Sequence, residues 1–539
     1  MVPHSYFWDS LFLILFFLSF VVGALLYARL SSWSMVERFI AASLPTAILI
    51  FIAILTREFL EAPFQIWNNI RLLPAFMATA GLPLYFPRDT GPVLDMMYGP
   101  FNAYAYVPVA LLTKDPTLVS EIAKCFTILY YFGPVLWLTC HKLPKELRQW
   151  VIALYVFLFF AYYSYDSQAL IGSAFSNHAD APALGFSATA CIFLFYRKHK
   201  EAWGPLWASA LFATMAIWTK QVTLPLLFAL PFCLWLMEDG RYLGRYLFCL
   251  IVTLCLSTVL FCRMYGTETL WFNLIINPMH QPWEESLFKV QGRALVELLQ
   301  RMRWISLVTF FYLAYEWRAL QRYPISRFEW FSRNRWIMFT IVGIFMIPTS
   351  IIGRLKIGGA LNALSFTIYF LIVGVGLLFL KILLARSESG AYRWTQMMIK
   401  CGVVFAVLSS MTINTPSLTY YFLFLKKNIV ELSSTPGKNA CLFLEEHPNE
   451  VYLPWNTLSH FLAEKKLYHF DYAISDRDAS GFPLTPEHFQ AHLPSKMRWV
   501  AFPPMTQDEY VMKYLPEFSQ RGTLPELPGW IVYSRPEKP

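Results

Sequence analysis

The chain has 539 residues, of which 56% are hydrophobic and only 15% are charged, and its mean hydropathy is +0.43. A water-soluble domain carries about 25% charged residues, so a soluble protein is excluded. Coiled coil, collagen and disorder are excluded too, because no heptad, Gly-X-Y period or low-complexity segment runs through the chain. The net charge of +9 comes from short basic clusters between apolar runs. Such clusters follow the positive-inside rule of membrane proteins. They form no continuous basic stripe, so no nucleic-acid partner is predicted.

Twelve apolar runs approach the roughly 20 residues that a membrane-spanning helix needs. They are 10–28, 39–56, 125–140, 149–164, 181–196, 203–219, 222–237, 246–264, 304–317, 336–353, 363–385 and 398–413. The first run lacks a basic start and an A-x-A cleavage site, so it predicts a retained span rather than a signal peptide. Residues 101–113 are apolar but short and predict a re-entrant or interfacial helix, with a thirteenth span as the alternative.

If every run crosses the membrane once, the basic clusters share the cytoplasmic side and the long loops share the outer face. The first outer loop is 57–124. We therefore predict a multi-pass protein of a plasma membrane, such as a bacterial inner membrane, with about 12–13 transmembrane helices in residues 1–413. Residues 414–539 have soluble composition and predict a small extracytoplasmic α/β domain, with strands at 450–453, 499–502 and 530–533 between helical stretches.

Neither the nine cysteines of the chain, of which only Cys441 lies in the tail, nor the histidines of the tail have metal-ligand spacing. The tail histidines are His447, His460, His469, His488 and His492. We expect them at the surface. No cofactor is predicted with certainty, and a divalent metal stays open because the outer carboxylates follow no fixed spacing.

Ionisable residues at membrane depth cost several kcal/mol, so those at span ends are candidates for function. In the first outer loop, Glu58 and Glu61 follow the second span directly. A partly buried carboxylate there can accept a proton from a hydroxyl group. The alternative is that both merely pair with Arg57 and Arg71 at the interface. Further along the same loop, the candidates for substrate binding are Asn68, Asp95 and Tyr98.

The segment SNHADAP at 176–182 opens the fifth apolar run, and His178 and Asp180 at its head are two further candidates for substrate binding. Asn177 or Asp180 is a good N-cap, with Pro182 in the first helical turn. The sequence leaves open whether this is a cap alone or a cap that also contacts substrate.

Four residues are candidates for binding a lipid phosphate. They are Lys220, Gln221, Arg354 and Lys356. The three cations lie on the face opposite the basic clusters, so topology does not explain them. Gly358 and Gly359 lie just after Lys356 in the chain. Exposed backbone N–H groups beside a cation suit a phosphate. Snorkelling anchors at the membrane surface are the alternative.

Together these features resemble the GT-C membrane glycosyltransferases that use polyprenyl-phosphate sugars, such as aminoarabinose transferases and protein mannosyltransferases. The resemblance covers roughly residues 39–413. The segments that carry it are the first outer loop with its acid near a span end, AGLPLY (80–85), YGPF (98–101), HADAP (178–182), WTKQ (218–221) and KIGGALN (356–362).

This resemblance implies a sugar donor on a lipid phosphate and a lipid or glycan acceptor on the outer face. A first-loop carboxylate would deprotonate the acceptor, which attacks the anomeric carbon with inversion. The sequence departs from the family at Asn68 and Asn69, near the place of the usual acid, because an amide cannot act as a base. Glu58 is therefore our first candidate for the base and Glu61 the second, with Asp95 or Asp180 as alternatives.

Two other classes of function stay in view. A transporter or flippase for a lipid-linked or anionic solute is the first, although the halves of the chain do not match as transporter repeats often do. The second is a noncatalytic membrane partner that uses the tail to bind other proteins. Dispersal of the candidate residues over the surface would support this hypothesis.

Overall fold

The structure is a computed structural model. It describes residues 3–536, apart from 95, 142–145, 197–201, 239, 284–286, 323–324, 357–358, 386–399, 403, 405–428, 430, 505 and 507–508.

The membrane part consists of long apolar helices joined by short ones. In chain order they are α1 (Pro3–Arg29), α2 (Met35–Glu61), α3 (Trp67–Thr79), α4 (Pro100–Leu112), α5 (Pro116–Cys140), α6 (Leu147–Asp166), α7 (Gln168–Phe175), α8 (Asp180–Phe195), α9 (Trp203–Ile217), α10 (Leu226–Met237), α11 (Gly240–Tyr265), α12 (Thr267–Trp271), α13 (Asn277–His280), α14 (Leu287–Arg322), α15 (Arg327–Arg333), α16 (Trp336–Leu355) and α17 (Ser365–Leu384). Ser34 and Glu37 form a capping box at α2, and Asp115 caps α5 ahead of Pro116.

The described residues include six helices that are long and apolar enough to cross a membrane, and a bent pair can form a seventh. Eleven of the twelve predicted runs fall mainly within helices, while most of 398–413 lies outside the described residues. The chain is thus a helical integral membrane protein, as predicted. Fewer helices than twelve meet the length requirement, because some, such as α9 and α10, have only 15 and 12 residues.

The first outer loop contains two short helices, α3 and α4. Helix α4 has 13 residues, and at 1.5 Å per residue it is about 20 Å long, too short for the roughly 30 Å hydrocarbon core. This length favours the re-entrant or interfacial helix over a thirteenth span for residues 101–113.

A break divides the fifth apolar run from the short helix before it. Helices α7 and α8 meet at 92° across 176–179, and most of α8 is buried among its neighbours. Non-helical backbone at membrane depth is tolerated where protein buries it or where it lines a cavity. The break therefore places polar backbone groups and side chains in the interior of the protein, where they are able to contact a substrate.

The tail is a small α/β unit. Its helices are α18 (Pro436–Glu446), α19 (Thr457–Glu464), α20 (Asp471–Ala479) and α21 (Pro486–Gln490), and its strands are β1 (Val451–Tyr452), β2 (Trp499–Phe502), β3 (Gln520–Leu524) and β4 (Leu527–Ser534). The sheet order is β1-β2-β4-β3, with β1 parallel to β2 and the other pairs antiparallel. Three strands lie where the sequence predicts them, whereas β3 was not predicted. The predicted domain start at 414 lies outside the described residues.

The tail and the first outer loop share one hydrophobic core. Phe76 and Tyr85 of the loop belong to the same buried cluster as Trp455, Phe470 and Phe489 of the tail. Two side chains that reinforce this contact are the indoles of Trp67 and Trp455, whose ring centroids lie 5.1 Å apart. The loop is therefore held by the tail as well as by the membrane helices.

Two tail histidines are not at the surface, contrary to the prediction. His460 and His469 are fully buried. Nε2 of His460 accepts the N–H of Leu453 at 2.9 Å, and Nδ1 of His469 accepts the N–H of Val93 at 2.9 Å. Each imidazole accepts a hydrogen bond from a buried backbone N–H group that would otherwise lack a partner. The spacing of histidines along the sequence does not reveal such a contact.

Candidate functional site

The break between α7 and α8 is fixed in place by hydrogen bonds to two other helices. The amide of Asn177 donates to the carbonyl of Ser120 at 3.1 Å and accepts the hydroxyl of Thr127 at 3.0 Å, both on α5. Tyr106 of α4 donates to the carbonyl of His178 at 3.2 Å. The backbone at 177–178 is therefore rigidly placed by buried polar contacts.

Asp180 is the centre of this site. Its carboxylate is fully buried and accepts hydrogen bonds from Lys220 Nζ, from Ser173 Oγ at 3.2 Å and from Asn362 Nδ2 at 2.6 Å. His178 Nδ1 lies 3.0 Å from Asp180 Oδ2. We call His178, Asp180, Lys220 and Asn362 the charged cluster. It joins α8 to the turns that follow α9 and α16.

The predicted cap at the start of α8 is wrong. The N-cap residue is Ala179, and no side chain caps the helix. Asp180 lies in the first turn, and its side chain turns to Lys220 and Asn362 because burial of a lone carboxylate requires a cation and hydrogen-bond donors. Asn177 instead binds α5.

Tyr98 links the first outer loop to the charged cluster. Its hydroxyl lies 3.1 Å from His178 Nε2, and its ring lies 5.2 Å from Lys220 Nζ. Tyr85 donates to the carbonyl of Tyr98 at 2.6 Å and so fixes this part of the loop. The structure thus unites four of the predicted residues, Tyr98, His178, Asp180 and Lys220, from three distant segments.

Glu58 forms a second buried ion pair beside the break. Its Oε2 lies 3.6 Å from Nζ of Lys124, which is fully buried. Lys124 lies on the same face of α5 as Ser120 and Thr127, the two residues that hold Asn177. The pair is wider than a hydrogen bond. Sequence reasoning missed Lys124, although a lone lysine beside an apolar run was a visible signal.

Glu61 is held by a different cation. Arg57 donates to Glu61 Oε1 from Nε and Nη2 at 3.0 Å each, and to the hydroxyl of Tyr165 at 2.9 Å. This is the interfacial pairing predicted above as the alternative role of Glu61. Glu58 forms its ion pair with Lys124.

Asn68 and Asn69 do not contact the charged cluster. Asn68 is buried and donates to the carbonyl of Ala62 at 2.7 Å, while Asn69 accepts the hydroxyl of Ser459 in the tail at 3.5 Å. The two amides therefore brace helix α3 against its neighbours. Asp95 lies outside the described residues.

The predicted phosphate ligands do not form one group. Gln221 donates to the carbonyls of Met97 and Leu274 at 2.8 and 3.1 Å, so it ties the first loop to the segment after α12. Arg354 Nη1 donates to the carbonyl of Gly359 at 3.0 Å.

Lys356 donates to the carbonyls of Met279 and Gln281 at 2.8 and 2.6 Å. Its ammonium also lies 4.1 Å from the ring centroid of Trp283. Of the four candidates, Lys220 belongs to the charged cluster and Gln221 adjoins it.

Within the described parts of the chain, no group of three or more His, Cys, Asp or Glu side chains could hold a metal ion.

A separate cleft lies between the first outer loop, the segment 272–277 and tail helix α20. It is a small cleft that is partly open to solvent, and Met97, Phe272, Asn277, Asp476 and Arg477 are among its walls. Residues Phe272–Ile276 form a π-helical turn, a rare element that is frequent at functional sites.

The architecture is thus a set of buried helices around a broken span, a folded outer loop and an appended α/β tail. Two solved structures of similar fold are both of one protein. ArnT from Cupriavidus metallidurans in the apo state is 13% identical, covers 90% of this chain and 97% of its own, and gives a TM-score of 0.50. The same protein bound to undecaprenyl phosphate is 11% identical over the same shares, with a TM-score of 0.49.

The chain therefore has an ArnT-like fold, as its sequence resemblance predicts. No protein-family profile matches the sequence, and no curated protein matches it.

Proposed function

We propose that this protein is a membrane glycosyltransferase that moves a sugar from a polyprenyl-phosphate donor to a lipid or glycan acceptor on the outer face. The observation that carries the proposal is the charged cluster at the broken span of an ArnT-like fold. A buried carboxylate, lysine and histidine at membrane depth are costly, and a purely structural helix contact does not need them. Their clustering also argues against a noncatalytic partner, for which dispersal was expected.

The lipid phosphate is proposed to bind at Lys220. This lysine keeps a small exposed fraction of 8%, and its ammonium lies 5.2 Å from the ring of Tyr98 in the first outer loop. A lysine ammonium suits the charge of a phosphate. Arg354 and Lys356 already donate to carbonyl groups, so we assign them a lesser part. ArnT itself has been solved with undecaprenyl phosphate.

Glu58 is proposed as the general base. The carboxylate of Asp180 accepts three hydrogen bonds and is thereby committed to orienting Lys220 and Asn362. Glu58 instead has Nζ of Lys124 at 3.6 Å, a separation wider than a hydrogen bond. The oxygens of Glu58 are therefore able to accept a proton.

The acceptor oxygen then attacks the anomeric carbon as the bond from that carbon to the phosphate oxygen breaks. The proton passes to Glu58, the lipid phosphate leaves beside Lys220, and the configuration inverts.

The test is release of polyprenyl phosphate by purified protein supplied with radiolabelled polyprenyl-phosphate sugars and a membrane glycolipid extract. We expect Glu58→Gln to lower turnover by at least about 100-fold, the usual effect of losing a general base. Glu37→Gln is the matched control, because Glu37 is also a buried acid on α2 and pairs with Arg148 at 3.4 Å.

Three results would contradict the proposal in different ways. Equal turnover of Glu58→Gln and the wild-type protein would refute the choice of base. Absence of release from every donor would refute the transferase function. Movement of intact lipid-linked sugar across proteoliposomes, with no release, would identify a flippase instead.

A further inference from the structure

The cleft between the first outer loop and the tail has polar atoms that lack partners. Nε of Arg477 and Oδ1 of Asn277 are buried, and neither has a hydrogen-bond partner among the described residues. Leaving a buried donor or acceptor unpaired costs about 1–3 kcal/mol. Both residues line the cleft. A ligand that offers an acceptor to Arg477 and a donor to Asn277 would remove this cost.

The charges and rings around these atoms favour a neutral, hydroxyl-rich ligand. Asp476 also lines the cleft, so its walls carry charges of both signs. Phe272 presents a ring whose centroid lies 5.4 Å from the guanidinium carbon of Arg477. A sugar has hydroxyl groups that both donate and accept, and C–H faces that pack on an aromatic ring. An anion would meet Asp476 as a like charge.

The cleft adjoins the charged cluster through two shared segments. Gln221 follows Lys220 in the chain, and its amide holds the carbonyls of Met97 and Leu274. Met97 lines the cleft, and the next residue, Tyr98, contacts His178. A molecule in the cleft is therefore separated from the charged cluster by one short stretch of the first outer loop.

We propose that this cleft binds the saccharide part of the acceptor, with Asn277 and Arg477 pairing with its hydroxyl groups and Phe272 packing on its ring. This inference rests on the proposed transferase function. It assigns the acceptor to the cleft and the donor phosphate to Lys220. It also gives the tail a role, because Arg477 reaches the cleft from α20.

The experiment compares Asn277→Ala with the wild-type protein. Asn277→Ala removes a buried acceptor that lacks a partner, so the variant should fold. The matched control is Asn439→Ala, at a partly buried asparagine of α18 whose amide donates to the carbonyl of Ser434 at 3.4 Å. The probes are a radiolabelled polyprenyl-phosphate sugar, a membrane glycolipid extract, and the oligosaccharides released from that extract by mild acid.

For Asn277→Ala we expect an acceptor KM about tenfold higher, as for the loss of one good hydrogen bond, and a smaller change in donor KM. Binding of the released oligosaccharides, measured by equilibrium dialysis, should weaken by the same factor. Arg477→Lys keeps the charge but lacks Nε. It should raise acceptor KM and weaken oligosaccharide binding as Asn277→Ala does. Asn439→Ala should match the wild-type protein in both measurements.

Oligosaccharide binding and acceptor KM that are the same in Asn277→Ala and the control would overturn the proposal. A rise in donor KM in place of acceptor KM would also overturn it, because the donor sugar would then occupy the cleft. If the wild-type protein releases no polyprenyl phosphate, the transferase function fails. The dialysis measurement still decides whether a saccharide binds here.

Discussion

Lys220 and Asp180 form a buried hydrogen-bonded ion pair that joins the turn after α9 to the first turn of α8. Forty residues of chain separate them, and Asn362 reaches the same carboxylate from beyond α16. Each partner is buried only because the other is present. The pair thus fixes three membrane segments around the break between α7 and α8.

Asp180→Asn should destabilise the protein by about 3–5 kcal/mol, because it leaves Lys220 buried without a counter-charge. The double variant Asp180→Asn with Lys220→Met should recover much of that stability and remain inactive. Melting temperature in detergent and release of polyprenyl phosphate measure the two effects. Glu329→Gln is the control, since Glu329 pairs with Arg333 in an exposed position, where changes stay within about 1 kcal/mol. An active double variant would exclude the cluster from the reaction.

Gly99→Ala should lower both stability and turnover. An added Cβ would lie 1.9 Å from the carbonyl oxygen of Trp218, which accepts the N–H of Phe101 at 3.1 Å. The substitution must push the turn that holds Lys220 away from Tyr98, at a cost of about 1–3 kcal/mol. Gly204→Ala is the matched control, because a Cβ at Gly204 meets open space. Equal melting temperatures and equal turnover of the two variants would contradict the close contact.

The tail should lose stability as the pH falls below about 6.5, because burial lowers the pKa of His469 to about 3. Between these values the unfolded tail binds a proton that the folded tail does not. The free energy of unfolding therefore falls by about 1.4 kcal/mol per pH unit on acidification. Burial also lowers the pKa of His460 and His492, which adds effects of the same sign.

His469→Phe keeps the stacking on Phe489 but removes the titration and the acceptor for Val93. Its melting temperature should be lower than that of the wild-type protein at pH 7.5 and should depend less on pH. His447→Gln, at a partly exposed site, is the control. A pH dependence of His469→Phe as steep as that of the wild-type protein would refute the role of His469.

Lys356→Ala should release the segment 279–283 rather than weaken donor binding. Lys356 donates to two carbonyls of this segment and lies over Trp283. We expect faster proteolysis there and a donor KM close to that of the wild-type protein, whereas Lys220→Met should raise donor KM at least about tenfold through loss of a charge-assisted contact. A tenfold rise for Lys356→Ala as well would restore the phosphate role predicted from the sequence.

The sequence alone located the charged cluster only in part. Polar residues such as His178, Asp180 and Lys220 stood out because charge is rare in apolar surroundings and each instance requires a reason. The rarity of charge does not show which of these residues contact one another. For Asp180 the sequence suggested a helix cap with or without a contact to substrate, since a cap is local and follows from neighbouring residues. Its contact with Lys220 depends on how distant helices pack.

Composition and periodicity by themselves determined the membrane class, the helical fold and most of the tail strands, because burial in lipid or in a sheet acts on every residue of a segment. Only the tertiary structure decided that Lys124 faces Glu58, that His469 is buried against the first loop, and that the loop and tail enclose a cleft. These contacts join residues up to several hundred positions apart. No local pattern encodes them, because they arise when separate elements bury their polar groups together.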